Sequence, residues 1–278
     1  MNDIDLDHLQ QWIGHTETVS DIITSSLVDR FKAIFFDSLW QVEGGVPLGL
    51  HWCLAPIAIS GNDLGDDGHP KRGGFLPPVP LPSRMWAGGE LRFHSVLREG
   101  DNVTRNSRIA NVALKNGKSG PLVFVTVEHE CGVGGRLAIS ERQDIVYKQA
   151  SPKYSASQSE TMDMPSDPDA IRVDEVTLFR YSALTFNGHR IHYDRDYARN
   201  VEGYPGIVVH GPLQATLLMN YAAHQCNGVP ARFSYRGIAP LFGQTSFRLQ
   251  INNSINGGDV WCEDLTGNTT MQADYDKA

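Results

Sequence analysis

Little in this 278-residue chain can cross-link it, and no part reads as an anchor. Four cysteines, Cys53, Cys131, Cys226 and Cys262, lie far apart and form no CxxC pair. That spacing argues against a disulfide frame and a cysteine zinc site, and suits buried thiols in a reducing compartment. Basic residues are outnumbered 24 to 32, a net charge of −8. No global basic field therefore recruits nucleic acid or an anionic membrane, and any polyanionic ligand must meet a local basic patch. No apolar run approaches the ~18 residues of a membrane-spanning helix. The N-terminal Met-Asn-Asp-Ile-Asp-Leu-Asp lacks the basic-then-apolar order of a secretory signal, so the expected location is the cytoplasm. No GxSxG, Walker or GxGxxG pattern stands in a convincing setting. Asp3, Asp5 and Asp7 alternate, but without the glycine and distal glutamate of a calcium loop. What remains is a soluble globular composition, 41% hydrophobic and 20% charged, long enough for one large domain or two of ordinary size.

The informative stretch is 185–221. A run from Val176 to Thr185 that reads as a strand is followed by a polar cluster of Asn187, His189, Arg190, His192 and Asp194. Gly203, Pro205 and Gly206 then turn the chain, and Ile207-Val208-Val209 leads into His210-Gly211-Pro212. Pro212 suits a first helical position, where its missing N–H costs nothing. Leu213, Leu217 and Tyr221 recur on one stripe, with Leu218 and Ala222 beside them. Ala215 and Met219 extend the apolar surface, so the helix is expected to be covered nearly all round. Its first N–H groups, beginning near Gly211, are unpaired and backed by the positive end of the helix dipole. Such an end polarises a carbonyl oxygen, which with the histidines and Asn187 suggests chemistry at a carbonyl.

In chain order, Leu6 to Phe36 reads as helical, with Ile22, Ile23, Leu27, Phe31, Ile34 and Phe35 at helical spacing and Thr18 or Ser20 as a cap. Gly49 to Pro56 reads as a short strand or an apolar turn. Residues 60–82 hold five glycines and five prolines, and stand open as either a binding edge or a surface excursion. Strands are expected at 91–97, 102–114, 122–130 and 138–147, with Lys115-Asn-Gly-Lys118 as a hairpin turn. The polar tract 150–169 reads as a linker. After it come a strand over 173–185, the helix at 212–225, and strands at 233–238, 244–251 and 260–275, the last broken at 266–268. Asn256-Gly-Gly-Asp259 is a further turn. The segments 91–100 and 233–243 correspond loosely, so the halves read as weak copies: a helix and then a meander, twice. The expected class is α+β, divided into 1–149, the linker 150–169, and 170–278.

Thr185-Phe-Asn-Gly-His-Arg-Ile-His-Tyr-Asp194 and Gly203-Tyr-Pro-Gly-Ile-Val-Val-His-Gly-Pro-Leu213 resemble the hydroxyacyl-thioester dehydratase type 2 branch of the MaoC-like hydratases, which includes mesaconyl-C4-CoA hydratases. Met85-Trp-Ala-Gly-Gly89, Arg108-Ile-Ala110, Ser119 to Val127 and Gln143-Asp-Ile-Val-Tyr147 are similar to its N-terminal half. The resemblance implies a double hotdog fold whose second repeat carries the hydratase motif, the first being degenerate and supporting substrate and CoA binding. It implies a hydro-lyase adding water reversibly to a 2-enoyl thioester, and favours a short branched dicarboxylic acyl-CoA. Alternatives are a 3-hydroxyacyl-thioester dehydratase of fatty acid synthesis, a hotdog thioesterase, or a non-catalytic acyl-CoA-binding module. A double hotdog supplies its own pseudo-dimer, so monomer and homodimer are both open.

Set on the family's Asp-x-Asn-Pro-x-His motif, the histidine falls on His192, the aspartate on Asn187, the asparagine on His189 and the proline on Arg190. The resemblance makes His192 the general acid/base and places the thioester oxygen near the Gly211 N–H. Asn187 cannot take a proton as a carboxylate can; it either positions the water or caps its own turn. His189, Arg190, Tyr193 and His210 either contact substrate or stabilise the turn. A neutral imidazole with a pKa near ~6.5 suits proton transfer at neutral pH, so no metal or redox cofactor is expected beyond the coenzyme A of the substrate. Coenzyme A phosphates need local cations, for which Arg84, Arg92, Arg105, Arg108 and Arg236 are candidates. Arg190 or Arg236 is the expected partner of a distal carboxylate. His51, His94 and His129 read as ordinary strand histidines.

Overall fold

The computed structural model describes residues 4–35, 38–117, 120–149, 170–243 and 245–278. The expected linker 150–169 lies outside the described residues. The first half contains α1 (Leu6–Gln10), β1 (Thr16–Ile22), α2 (Ser25–Phe35), β2 (Ser83–Phe93), β3 (Asn102–Gly117), β4 (Gly120–Val133) and β5 (Arg136–Lys148). The second contains β6 (Ile171–Arg172), α3 (Glu175–Thr185), α4 (Arg195–Asn200), α5 (Gly211–Cys226), β7 (Arg232–Gly237), β8 (Ser246–Asn253), β9 (Gly257–Asp264) and β10 (Thr269–Asp276).

All ten strands join one antiparallel sheet in the order β1-β3-β4-β5-β2-β7-β10-β9-β8-β6. Reading outward from the centre gives the same order of repeat strands on both sides. The halves are therefore related by a pseudo-twofold at the β2–β7 pair, where Leu91 faces Phe233 and both are fully buried. These are the residues at which the two corresponding segments begin. The result is the α+β double hotdog that the resemblance implied.

The helix α5 fills the second repeat. Leu213 to Asn220 are buried without interruption, as are Ala222 and Ala223. Its buried polar side chains all have partners. Asn220 donates from Nδ2 to the carbonyls of Leu48 and Thr216, and its Oδ1 accepts the Trp40 N–H. Gln214 Oε1 accepts the Thr270 hydroxyl at 2.8 Å. Burying ten of the sixteen helical positions is favourable because each large apolar side chain contributes roughly 1.5–3 kcal/mol.

Two local expectations fail. The region 6–36 is not one helix: Gly14, at φ +90, ends the first turn, and 16–22 pairs with β3 in register from Thr16–Arg108 to Ile22–Asn102. The apolar periodicity there belongs only to α2, which buries Leu27, Val28, Phe31, Ile34 and Phe35. Conversely, 175–185 is a helix, not a strand. Asp174 caps it by accepting the Thr177 N–H at 2.8 Å, and it buries Leu178, Tyr181 and Ser182 while leaving Val176 and Phe179 exposed. Residues 49–56 are a short 3-10 turn, Leu50–Cys53, entered through Gly49 at φ +91.

Among the described residues, nothing between α2 and β2 matches α5 in length. The chain there makes two short 3-10 turns and the Gly/Pro-rich loop. Val79 and Leu81 of that loop and Leu9 of α1 instead cover a second core cluster with Ile109, Val112, Val123 and Val125. A cavity of about 1220 Å3 lies between this loop, the sheet and the start of α5. No helix among the described residues is long and apolar enough to cross a membrane.

Candidate active site

The site begins where α3 stops. Phe186 takes the left-handed conformation (φ 53) that ends the helix, and the next residues form a tight turn. Asn187 holds that turn: its Oδ1 accepts the His189 N–H at 3.0 Å, and the residue lines the cavity. A 3-10 turn over Arg190–His192 then carries His192 into the wall of the cavity, where it is only 7% exposed.

His192 Nδ1 lies 2.7 Å from the Val208 carbonyl oxygen, which can only accept. The proton therefore resides on Nδ1 and the Nε2 lone pair is free. Burial pushes its pKa down to about 4, against the Val208 hydrogen bond and aided by His69, so the ring is neutral at physiological pH. His210 stacks behind it, fully buried, with its Nε2 2.9 Å from the Ser182 hydroxyl. Burial and the neighbouring His192 and His189 hold His210 well below its ordinary pKa. His210 does not line the cavity and supports His192 from behind.

Gly211 opens α5 directly against the indole of Trp86. A Cβ there would lie 3.0 Å from Trp86 Cε3, so glycine lets the helix start sit against the indole without displacing it. With Pro212 next, the Gly211 N–H is the first donor of a sixteen-residue helix and lines the same cavity as His192.

The loop 60–82 closes over this turn. The Arg190 N–H donates to Asp67 O at 2.9 Å, and Arg190 Nη1 donates to Asp66 O at 3.0 Å. Gly68 packs so tightly on Gly188 that a Cβ on either would overlap the other's carbonyl oxygen. The loop thereby delivers His69, whose ring centroid is 4.2 Å from that of His189; His189 in turn lies 5.4 Å from His192. Asp67 orients His69 through an Nδ1 contact of 3.1 Å. Burial and the Arg84 charge lower His69 to about 4, while burial and His69 lower His189 further. Burial alone would raise the Asp67 carboxyl, yet the hydrogen bonds from His69 hold it well below its usual range. Asp67, His69 and His189 place ligand-type atoms within 4.8 Å of one another, and are the residues here that could hold a divalent metal.

A second polar group lines the cavity from the first repeat. Glu141 Oε1 accepts from Trp52 Nε1 and Gln143 Nε2, each at 2.8 Å, and its Oε2 lies 3.6 Å from His51 Nε2. Burial would raise this carboxyl, but His51 holds it below its ordinary value. His51 and His129 are thus cavity residues, and His51 sits on a 3-10 turn, not a strand.

The structure brings together His192, Asn187, Gly211, His189, Tyr193, Arg84 and Arg105 around one cavity. It places the other predicted contacts elsewhere. Arg190 gives Nε and Nη2 to Asp194 and lies 4.2 Å over the Tyr197 ring, outside the cavity lining. Arg236 lines a separate shallow depression, Arg92 pairs with Glu90, and Arg108 pairs with Glu128. On β3, Arg108 is three positions from Arg105 and so takes the opposite face, and on β2 a bulge between Trp86 and Gly88 changes the phase between Arg84 and Arg92. Sequence reasoning missed Asp67 and His69, whose one signal was a dense polar tract, Asp66-Asp-Gly-His-Pro70, inside an unusually long loop.

A family of hydroxyacyl-thioester dehydratases type 2 matches residues 49–243, a span that includes every side chain of this site. The chain belongs to that family. A mesaconyl-C(4)-CoA hydratase of Chloroflexus aurantiacus is 41% identical over 273 residues, covering 94% of this chain and 95% of its own. A mitochondrial hydroxyacyl-thioester dehydratase type 2 of Schizosaccharomyces pombe is 27% identical, covering 89% and 93%. Among solved structures, HtdX of Mycobacterium tuberculosis superposes with a TM-score of 0.69 at 18% identity, covering 95% of this chain and all of that one. A second mycobacterial protein, described as having a double hotdog fold, gives 0.58 at 11% identity over 95% of each chain. At such identities these structures speak for the fold alone.

Proposed function

We propose that this protein is an acyl-CoA hydratase/dehydratase that adds water reversibly across a 2-enoyl thioester of coenzyme A, with a short branched dicarboxylic acyl group as substrate. The observation that carries this reading is the Nδ1–H bond of His192 to Val208 O, which leaves an unprotonated Nε2 at the wall of a roomy cavity. Nε2 takes a proton from water as the oxygen attacks the β-carbon. The Gly211 N–H and the dipole of α5 stabilise the enolate that develops at the thioester oxygen. Asn187, through Nδ2 or its turn, places the water, and the proton on His192 returns to the α-carbon. A free N–H and a neutral imidazole suffice, so the chemistry calls for no metal or redox group.

The 41% relative supports a CoA-linked dicarboxylic substrate over a fatty acyl chain. On this reading 170–278 performs the chemistry and 1–149 encloses the substrate, with monomer and homodimer equally compatible.

The test is to follow the conjugated enoyl-thioester absorbance of mesaconyl-C4-CoA while counting free thiol. Hydration removes the absorbance and releases no thiol. Thiol release with the absorbance retained would identify a thioesterase instead, and CoA-ester binding without either change a non-catalytic module.

A further inference from the structure

Four cationic side chains other than histidine line the cavity, and three are already engaged. Lys71 donates to Asn62 O at 2.7 Å. Arg72 is spent on the carbonyls of Val79, Leu81 and Pro82. Arg105 donates to Leu54 O and Ala55 O at 3.1 and 3.2 Å. Arg84 has no hydrogen bond or ion pair among the described residues. It stands on β2 opposite Tyr147, and the preceding Ser83, on the other face of the strand, gives its hydroxyl to Glu202 at 2.7 Å. Glu202 is thereby held on the far side and does not neutralise Arg84.

The position of this free charge is informative. Arg84 lies two residues before Trp86 on the same face of β2; both line the cavity, and the Trp86 indole packs against Gly211 at the start of α5. Arg84 therefore belongs to the reacting end of the cavity. Water activated by His192 must reach the β-carbon of the enoyl group. In an enoyl thioester that carries a carboxylate on that carbon, the anion is one bond from the reacting atom, so its binding group must stand beside His192, not at the cavity mouth. A guanidinium meets a carboxylate with two parallel hydrogen bonds, which fixes orientation as well as position.

We propose that Arg84 anchors the free carboxylate of the substrate and selects enoyl thioesters that bear a carboxylate on the reacting β-carbon. This inference rests on the hydratase reading. It moves carboxylate recognition to Arg84 from Arg190 and Arg236, which the structure commits elsewhere, and it releases Arg84 from the coenzyme A phosphates.

The experiment compares mesaconyl-C4-CoA with crotonyl-CoA, which keeps the thioester, the coenzyme and the β-methyl group but lacks the carboxylate. The readout is the ratio of kcat/KM for the two substrates in wild type, Arg84→Gln and Arg84→Lys. Loss of a charge-assisted bidentate pair is expected to lower that ratio by about 10- to 100-fold in Arg84→Gln. Arg84→Lys should recover part of it. Isothermal titration of the same variants should show the weakening in mesaconyl-C4-CoA binding whatever happens to turnover. An unchanged ratio, whether both activities fall together as for a phosphate contact or neither falls, would overturn the proposal. A wild type that hydrates neither thioester would overturn the hydratase reading beneath it.

Discussion

The imidazoles of His192 and His210 lie face to face, with centroids 3.6 Å apart and planes 17° from parallel. Two rings this close cannot both be charged in a buried site, and both are held well below the ordinary histidine range by burial. The pair therefore keeps a base neutral at pH values where a free histidine would be half protonated.

The first consequence concerns pH. The acid limb of kcat/KM should fall near pH 4, where His192 takes its proton, not near the ~6.5 of an ordinary imidazole. Stability should follow the same window. Between those values the unfolded chain binds protons that folded His69 and His192 refuse, so stability falls as pH drops through it, by on the order of 1 kcal/mol per pH unit for each fully titrating histidine. Thermal unfolding between pH 7 and 4, beside a rate profile, measures both. An acid limb at 6.5 with a flat unfolding temperature would contradict the account.

Gly68→Ala should detach the loop from the turn that carries His189 and His192. Gly68 sits at φ +85 against the Gly188 carbonyl, where neither the backbone conformation nor the space admits a Cβ. A cost of about 1–3 kcal/mol in stability is expected, with faster proteolysis within 60–82. Gly74→Ala is the control, since a Cβ there meets nothing within 4 Å. Equal behaviour of the two variants would show that the loop is not clamped.

Arg190→Lys should weaken the same clamp without altering substrate preference. A lysine cannot serve Asp194, the Asp66 carbonyl and the Tyr197 face together. The expected result is a lower unfolding temperature with an unchanged ratio of mesaconyl-C4-CoA to crotonyl-CoA activity. A changed ratio would restore Arg190 as a substrate contact.

How far the sequence anticipated this site depends on distance along the chain. Asn187, His192 and Gly211 were readable because the turn after α3 and the start of α5 lie close in sequence, and Pro212 marks the helix start. Arg84 could be listed as one arginine among several, but its freedom from partners is a property of the folded cavity. His69 and Asp67 were invisible because their proximity to His189 depends on a backbone contact between Gly68 and Gly188 across more than a hundred residues. Local patterning failed where composition and context disagreed. Val176, Thr177, Phe179 and Tyr181 favour strands, yet the Asp174 cap and the burial of Leu178 and Tyr181 on one side make α3. The strand β1 was hidden because Ile22 and Ile23 fall in phase with the apolar face of α2. The two antiparallel meanders, by contrast, were legible from repeated short alternating segments with clear turn residues.

Chelation separates the two uses of Asp67, His69 and His189. If the Asp67–His69 contact is a hydrogen-bonded pair, dialysis against a strong chelator leaves hydration and the unfolding temperature unchanged. A loss of either that zinc or another divalent ion restores would instead assign the three residues as metal ligands.

The most direct test of the account is the hydration rate of mesaconyl-C4-CoA in wild type and His192→Ala. Loss of the general acid/base should lower kcat by about 10²-fold or more while CoA-ester binding persists. Retention of more than a tenth of wild-type kcat would contradict the assignment of the chemistry to His192.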